Sequence, residues 1–303
     1  MLRSLLLYLS ERKSPKNLFT SFSAGRHLAG RFIAGETVDD AVRVVRQLNA
    51  EGFEVTLDHL GESVSDRATA EEACCAYIGL LDRIATERLR SHISIKLTQL
   101  GLTISEDLTQ RLLRTICDAA AKHHNFVRID MESSAYVDAT LRVFRRAAAP
   151  RDVLGVVIQS YLYRSERDVD ELLHEGVRIR LVKGAYQEPG EVAFTSKKDV
   201  DRNFVVMMRK LLLSGIYHGI ATHDPRMVAA TEAFKRGHQI GAGRFEYQML
   251  YGIQRQLQRS LLRRGYRVRV YVPYGSQWYA YFMRRLAERP ANVLFVLRQL
   301  FQT

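Results

Sequence analysis

Phe53-Glu-Val-Thr-Leu-Asp58 opens the part of the chain that decides the fold, and a helical pattern from Glu71 to Leu89 and then His92-Ile-Ser-Ile-Lys-Leu97 follow it. The first and third segments are short and rich in β-branched residues, which is typical of buried strands. Apolar residues three and four positions apart in the second segment indicate a helix. A strand, a helix and a second strand in this order predict two parallel strands joined by a right-handed crossover.

The same alternation continues along the chain, with helical patterns such as Asp107 to His123 between six further strand-like runs. These runs are Phe126–Met131, Leu154–Gln159, Val177–Lys183, Gly219–His223, Arg244–Gln248 and Val268–Val272. Eight strand–helix units in about 250 residues are typical of a closed (β/α)8 barrel. The competing open sheet would favour a Gly-x-Gly-x-x-Gly turn after its first strand, and the chain has no such turn there. We therefore predict an α/β fold, with an N-terminal helical arm at residues 1–50 and a TIM-type barrel domain at residues 51–303.

Composition narrows the class of protein. The chain has 303 residues, of which 47% are hydrophobic, so a substantial core can form. Its three cysteines have neither metal-site nor disulfide-framework spacing, which indicates a reducing compartment. No run of about 18 apolar residues is present, and Met1 to Leu9 is typical of an amphipathic helix. We expect a cytoplasmic protein, with attachment to the inner face of the cell membrane and self-association left open.

Positive charge is concentrated near the C-terminus. The net charge is +12, and residues 251–303 contain ten Arg and one Glu. Such an excess suits nucleic acid, an anionic membrane surface or anionic ligands. The chain has no zinc-finger spacing and no RNP-type motif, so we expect no nucleic-acid partner. Arg267 and Arg269 alternate along the last strand-like run, and we expect both to face solvent.

Polar residues cluster where the apolar strands end, although the interior of such a barrel is filled mainly by branched apolar side chains. They are Asp58, His59, Glu62, Lys96, Asp130, Glu132, Gln159, Arg180, Lys183, Thr222, His223, Asp224, Glu246, Gln248 and Tyr271. Because chemistry in this architecture lies at the carboxyl ends of the strands, these positions predict a functional site.

An arginine pair, Arg284-Arg285, lies in an otherwise apolar helical stretch one turn after Tyr281. Guanidinium groups are rarely buried without an anion, and their planar fork suits a carboxylate. The stretch therefore predicts a pocket for a small acid, and the alternative is the solvated face of a basic helix.

Three chemistries compete at this site. Metal-assisted hydrolysis would use His59 and His223, but the first strand lacks the usual His-x-His. Schiff-base chemistry would use Lys183 or Lys96 as a nucleophile, although Arg180 beside Lys183 suits an anion equally well. A redox cofactor with phosphates would use the same cations together with the small Gly184, because side chains do not transfer hydride unaided.

The third alternative coincides with a family resemblance. The chain resembles the monofunctional bacterial proline dehydrogenases in seven segments in order along the chain, at residues 94–102, 128–132, 178–186, 219–224, 245–252, 270–275 and 281–285. The resemblance implies noncovalent FAD in a (β/α)8 barrel. It also implies oxidation of L-proline to Δ1-pyrroline-5-carboxylate, by hydride transfer from proline C5 to flavin N5, and a quinone as electron acceptor. The chain is expected to lack the aldehyde dehydrogenase half of the fused family members.

The resemblance also implies residue roles on the substrate side. Arg284, Arg285 and Lys96 would hold the proline carboxylate, and Glu62 would pair with Arg284 as a gate. The pyrrolidine ring would be enclosed by Tyr271, Tyr281, Leu250, Ala185 and Tyr186. A hydroxylated proline would place its oxygen against Tyr271 and Ala185, so we expect selection against it.

On the cofactor side, the resemblance implies that Arg180 lies beside the flavin N5, with Asp130 and Gln159 at the ring system. Lys183, Gly184 and Ala185 would approach the ribityl and pyrophosphate region. The adenylate half would contact Thr195, Lys197, Thr222, His223 and Glu288, and Arg285 would border both ligands. For Asp130, the alternative is a purely structural salt bridge to Lys96.

Overall fold

The computed structural model describes residues 30–61, 64–279 and 281–283. Its α-helices are α1 (Val38–Ala50), α2 (Arg67–Thr86), α3 (Glu106–Lys122), α4 (Ser134–Ala147), α5 (Ser165–His174), α6 (Lys197–Leu213), α7 (Pro225–Gly237) and α8 (Arg255–Arg263). Its strands are β1 (Glu54–His59), β2 (Ser91–Ile95), β3 (Val127–Ile129), β4 (Leu154–Gln159), β5 (Ile179–Val182), β6 (His218–Ala221), β7 (Phe245–Leu250) and β8 (Arg267–Tyr274). Residues 278–279 and 281–283 are also helical.

The eight strands form one closed barrel in the order β1 to β8. Each strand is parallel to its neighbours, and β8 closes the ring by pairing with β1, with Val55 opposite Val270. The predicted (β/α)8 barrel is thus confirmed, and the predicted run Leu154–Gln159 coincides with β4. The helix α1 precedes the barrel and packs against β1 and β8. Within the described ranges, no helix has the length and apolar content that crossing a bilayer requires.

Alternation along the strands separates an apolar shell from a polar barrel interior. Val55 and Leu57 on β1 are fully buried in the hydrophobic core, because successive side chains of a strand point to opposite faces. The intervening residues point into the barrel, where ionic groups meet across it: Asp58 with Lys96, Arg180 with Asp130, and Arg269 with Glu246. This interior departs from the branched apolar filling usual in such barrels.

Arg269 corrects one expectation from the sequence. Arg267 is exposed, as predicted, but the Arg269 side chain is only 6% exposed and donates from Nε to Glu246 at 2.7 Å. In the sequence, arginines at alternate positions of a strand resemble a strand face that is exposed to solvent. Closure of the barrel turns that face inward, and Glu246 on the neighbouring strand β7 supplies the counter-charge.

Small residues make room for this polar interior. A Cβ atom on Gly155 of β4 would lie 2.7 Å from Arg128 Nη1, a distance at which one of the two groups would have to move. Arg128 is buried, stacks 4.7 Å from the Phe126 ring centroid and donates to the Val156 carbonyl at 3.0 Å. Burial lowers its pKa well below the ordinary value. Gly155 therefore accommodates a guanidinium in the lower part of the barrel.

Candidate active site

A cavity of about 770 Å³ opens at the carboxyl ends of the strands. Every strand contributes to its lining directly or through the residues that follow it, and Tyr281 from the last helical residues contributes too. The lining includes Asp58, Lys96, Asp130, Gln159, Arg180, Lys183, Gly184, Ala185, Tyr186, Lys197, Thr222, His223, Gln248, Leu250, Tyr271 and Tyr281. The tertiary structure thus brings together side chains that are more than 200 positions apart in the sequence.

A buried ion pair lies at the floor of the cavity. Lys96 Nζ lies 3.0 and 3.1 Å from the two carboxylate oxygens of Asp58, and both side chains are almost fully buried. Burial raises the pKa of the Asp58 carboxyl, and the charge of Lys96 opposes this shift. Lys96 therefore already has a counter-ion within the barrel, and the alternative salt bridge from Lys96 to Asp130 is not the arrangement observed.

Asp130 accepts three hydrogen bonds instead. Ser94 Oγ and Arg180 Nη1 each lie 2.8 Å from its Oδ1, and the Tyr271 hydroxyl lies 2.6 Å from its Oδ2. Burial and the nearby Asp130 raise the pKa of Tyr271 well above its ordinary value. The Tyr271 hydroxyl consequently keeps its proton and acts as a hydrogen-bond donor to Asp130.

Arg180 is fixed from several directions. It donates to Asp130, to Ser94 Oγ at 3.1 Å and to the side-chain carbonyl of Gln248. Its guanidinium carbon also lies 5.3 Å from the centroid of the Tyr271 ring. A guanidinium held in one orientation at a cavity wall is suited to stabilise negative charge without reorganising.

At the outer side of the cavity, Lys183 and Arg226 share two carboxylates. Lys183 Nζ contacts both Asp201 and Asp224, the latter at 2.8 Å. Arg226 Nη2 lies 2.7 Å from Asp201 and 2.6 Å from Asp224. Hydrogen bonds from Arg226, followed by those from Lys183, lower the pKa of the Asp224 carboxyl. An ammonium held between two carboxylates is a poor nucleophile, so this geometry disfavours Lys183 as a Schiff-base lysine.

A second, basic groove of about 500 Å³ shares Lys197 and Arg226 with the cavity. It lies between α6 and α7, and its lining also includes Lys198, Arg202 and Arg209. Basic side chains outnumber the one carboxylate, Asp201, in the lining of this groove. A groove of this charge beside the cavity suits an anionic group of a ligand.

Gln159 provides a hydrogen-bond acceptor in the lining of the cavity. Its amide nitrogen donates to the Met131 carbonyl at 3.2 Å, whereas its side-chain oxygen is buried and has no hydrogen-bond partner in the part of the chain that the structure describes. Buried polar atoms are nearly always paired in folded proteins. The orphaned oxygen therefore indicates that a donor group of a ligand belongs at this position.

Of the other residues that the sequence analysis assigned to the site, some line the cavity and others do not. His223 lines the cavity, and its Nε2 accepts a hydrogen bond of 2.8 Å from the Leu250 amide. Thr195 is exposed and is not among the residues lining either opening. Four further candidates, Glu62, Arg284, Arg285 and Glu288, lie outside the described residues.

Several site residues were missed by reasoning from the sequence. Asp58 and Gln248 are polar residues at strand ends, and this position was the signal available for them, but they received no role. Asp201 lies inside α6 and Arg226 in the first turn of α7. Nothing in the local sequence distinguishes these two from ordinary charged residues of surface helices. Only the approach of α6 to α7 brings Asp201 to Lys183 and brings Arg226 to the same carboxylate.

The fold and the site define a barrel protein with a ligand cavity at the carboxyl ends of its strands, lined by both charged and apolar side chains. Residues 41–298 match the family model described as proline dehydrogenase. The chain belongs to the proline dehydrogenase family, whose reaction is the oxidation of proline in proline catabolism.

Similar proteins support this assignment. Proline dehydrogenase 2 of Bacillus subtilis (strain 168) is 42% identical over 296 residues, which cover 98% of this chain and 97% of the relative. Proline dehydrogenase of Deinococcus radiodurans is 42% identical over 277 residues, covering 90% and 89% of the two chains. Among solved structures, proline utilization A from Bdellovibrio bacteriovorus, inactivated by N-propargylglycine, is 27% identical with a TM-score of 0.82. This match covers 87% of the present chain and 33% of that one.

Proposed function

We propose that this protein oxidises L-proline to Δ1-pyrroline-5-carboxylate with FAD as its cofactor and a quinone as electron acceptor. The observation that carries the proposal is the cavity at the strand ends, where residues expected to hold proline meet residues expected to hold a flavin. Family membership supplies the substrate. The chemistry of the lining supplies the argument for the cofactor.

The residues present fit FAD. The unpaired Gln159 oxygen suits the ring N–H of an isoalloxazine, and Arg180 lies in the same cavity wall. Gly184 has a φ of 108° and packs its backbone beside the Tyr161 ring, so backbone there can approach a ligand closely. Lys183, Lys197 and Arg226 outnumber the carboxylates Asp201 and Asp224 beside them at the outer cavity, so a pyrophosphate would find a net positive charge there. When bound, FAD would supply the hydride acceptor that oxidation at proline C5 needs and a carrier for the electrons that go to the quinone.

On the substrate side, the residues of the chain bind and orient an imino acid. Tyr271, Tyr281, Leu250, Ala185 and Tyr186 line the cavity and would enclose a five-membered ring, which excludes water and holds the reacting carbon in one place. The Tyr271 hydroxyl is committed to Asp130, so the face of this residue that meets the ring is its apolar side.

The substrate carboxylate needs more cations than the described cavity floor supplies. Asp58 already neutralises Lys96, so Lys96 alone cannot balance a further anion. We propose that Arg284 and Arg285 supply the missing positive charge, with Glu62 as the partner of Arg284 in the gate. Each charge-assisted contact of this kind contributes about 1.5–3 kcal/mol.

Arg180 and Asp130 are the residues proposed to act closest to the reacting atoms. Arg180 is held by Asp130, Ser94 and Gln248, so its charge is in place before the reaction begins. Asp130 orients Arg180 and Tyr271 at once. The two roles are coupled, because a change at Asp130 would release both groups.

The wider setting of the reaction follows from the proposed acceptor. Quinones reside in membranes, and the basic C-terminal region suits an anionic membrane surface. We propose a cytoplasmic protein that contacts the inner face of the cell membrane, with residues 51–303 as the FAD-binding domain and residues 1–50 as an arm. For this arm, packing against the barrel, self-association and membrane contact are alternatives.

The test is spectroscopic. The purified protein should be yellow, release FAD on denaturation, and lose its absorbance near 450 nm when L-proline is added without oxygen or another acceptor. A quinone added afterwards should restore the colour, and the product should be trapped as a pyrroline. A colourless protein, or a flavin that L-proline leaves oxidised, would refute the proposal. A Lys96→Met variant with bound FAD and poor reduction by L-proline would separate substrate binding from cofactor binding.

A further inference from the structure

The cavity wall that contains Ala185 and Tyr186 belongs to an irregular stretch of chain. This β5–α6 segment, residues 183–194, makes up most of the connection from β5 to α6 and forms neither a helix nor a named strand. A wall built on an irregular segment needs other contacts to hold it in place, because it has no ladder of backbone hydrogen bonds of its own. Among the described residues, Tyr161 and Glu188 make several contacts of this kind, and the family resemblance gave neither of them a role.

Tyr161, just after β4, holds both ends of the segment. Its backbone N–H donates to the Lys183 carbonyl at 2.9 Å, and its carbonyl accepts from the Phe194 amide at 2.7 Å. Its ring packs against Gly184 so closely that a Cβ there would overlap the ring. Tyr161 is 7% exposed, and its hydroxyl also contacts the backbone of Tyr186. The segment is therefore wrapped around one aromatic side chain.

Glu188 ties the middle of the segment to the start of α4. Its Oε1 accepts from the Ser134 amide at 2.7 Å and from the Tyr161 hydroxyl at 3.2 Å. Its Oε2 accepts from the Ser134 hydroxyl. The N-cap residue of α4, Ser133, makes no side-chain capping bond. The Glu188 carboxylate thus satisfies an amide that the helix leaves open, at the end of the helix where its dipole favours an anion.

The geometry points to Tyr161 and Glu188 as positioning residues that hold the Ala185–Tyr186 wall against the substrate ring and so set which ring the cavity accepts. This inference rests on the function proposed above. Beyond Glu188, the segment is held by the Leu162–Ala193 bridge and by the Tyr163 amide, which donates to the Val192 carbonyl at 3.0 Å. Those contacts lie past the wall. Without the Tyr161 and Glu188 side-chain bonds, residues 185–188 could move outward and enlarge the cavity.

Two conservative variants test the assignment. Tyr161→Phe keeps the ring against Gly184 and removes only the hydroxyl, and Glu188→Gln keeps the size and removes the charge. Each should raise KM for L-proline roughly 5- to 30-fold, the range expected from one lost buried hydrogen bond, with kcat little changed. Each should also lower the preference for L-proline over trans-4-hydroxy-L-proline in kcat/KM. KM of the double variant should be no higher than KM of the more affected single variant, because both substitutions remove the same Tyr161–Glu188 contact.

A matched control lies in the same segment. Tyr163→Phe also removes one hydroxyl, which donates to the Gly190 carbonyl at 2.9 Å, but the Tyr163 side chain is about half exposed and lies beyond the wall. Its KM and its selectivity should match those of the unaltered protein. Equal effects of Tyr163→Phe and Tyr161→Phe would overturn the inference, as would a fall in kcat with unchanged KM and selectivity.

Hydrogen exchange separates this inference from the proposed function. Amides of residues 185–188 should exchange at least severalfold faster in Tyr161→Phe and in Glu188→Gln than in the unaltered protein or Tyr163→Phe, with the helix α8 as an internal reference. Unchanged exchange rates in both variants would overturn the inference that Tyr161 and Glu188 hold this wall in place. A protein that fails to oxidise L-proline would refute the proposed function. The exchange rates would then test the positioning role of Tyr161 and Glu188 by themselves.

Discussion

Replacing Asp130 with Asn is the sharpest perturbation of the polar barrel interior. Asp130 accepts hydrogen bonds from Ser94, Arg180 and Tyr271 at 2.6–2.8 Å, and the Arg180 side chain is only 6% exposed. An Asn side chain keeps the shape, but its single carbonyl oxygen cannot serve all three donors, and its charge is lost. Arg180 would then be a buried guanidinium without a carboxylate partner.

The expected cost follows from that arrangement. Removing one partner of a buried ion pair destabilises a protein by about 3–5 kcal/mol. The Asp130 side chain is 14% exposed to the cavity, so water there offsets part of the cost, and we expect a loss of about 2–4 kcal/mol in the free energy of unfolding. The same change should slow reduction by L-proline, because Arg180 and Tyr271 both lose their common anchor.

Urea unfolding followed by circular dichroism, with excess FAD present for every variant, measures this cost. Asp138→Asn is the matched control, because Asp138 forms an ion pair with Arg164 at 2.6 Å but its side chain is 68% exposed. Exposed pairs contribute about 0–1 kcal/mol. If Asp130→Asn were no more destabilising than Asp138→Asn, the view of the interior as a set of charge-balanced buried pairs would be wrong.

Three further predictions follow from the cavity and the fold. Tyr271→Ala removes the aromatic ring that would meet the oxygen of a hydroxylated proline, so it should improve kcat/KM for hydroxyproline relative to proline by about tenfold. Steady-state kinetics with both substrates measure this ratio, and an unchanged ratio would remove Tyr271 from the selective wall. Gly184→Ala should lower the free energy of unfolding by more than about 1 kcal/mol, because φ at Gly184 is 108° and the Tyr161 ring occupies the position of the added Cβ. Gly190→Ala is the control and should have little effect, because its Cβ would meet only Thr195 at 3.5 Å. Burial lowers the pKa of His218 to about 3. The unfolded chain therefore binds a proton at His218 below about pH 6.5 that the folded protein does not bind, and the free energy of unfolding falls as the pH decreases from 6.5 towards 3. His218→Gln should flatten the pH dependence of the free energy of unfolding in this window, and an equal slope in both proteins would contradict the assignment.

The sequence predicted the architecture and most of the cavity lining. Strand-like runs such as Leu154–Gln159 are strands in the fold. They can be recognised in the sequence because a strand that packs against helices has apolar side chains on its outer face, whichever strands lie beside it. Lys96, Asp130, Arg180 and Tyr271 were recognisable because polar groups at the ends of apolar strands are unusual in a barrel. Their meeting in one cavity follows from parallel strands, which bring all their carboxyl ends to one side.

Pairing between charges could not be predicted in the same way. The inward turn of Arg269 towards Glu246, the Asp58 partner of Lys96, and the two carboxylates around Lys183 each depend on which elements become neighbours. Glu188 illustrates the limit most clearly, because it caps a helix that begins 54 residues earlier in the chain.

The amino-acid sequence by itself determined the period of the strands and helices, the closed parallel barrel and the kinds of side chain at its mouth, because these depend on local alternation of apolar and polar residues. Only the tertiary structure decided which cation faces which carboxylate and what holds the cavity wall in place. An ion pair or a hydrogen bond forms over about 3 Å, and a distance that short between residues far apart in the chain is fixed by the packing of whole elements.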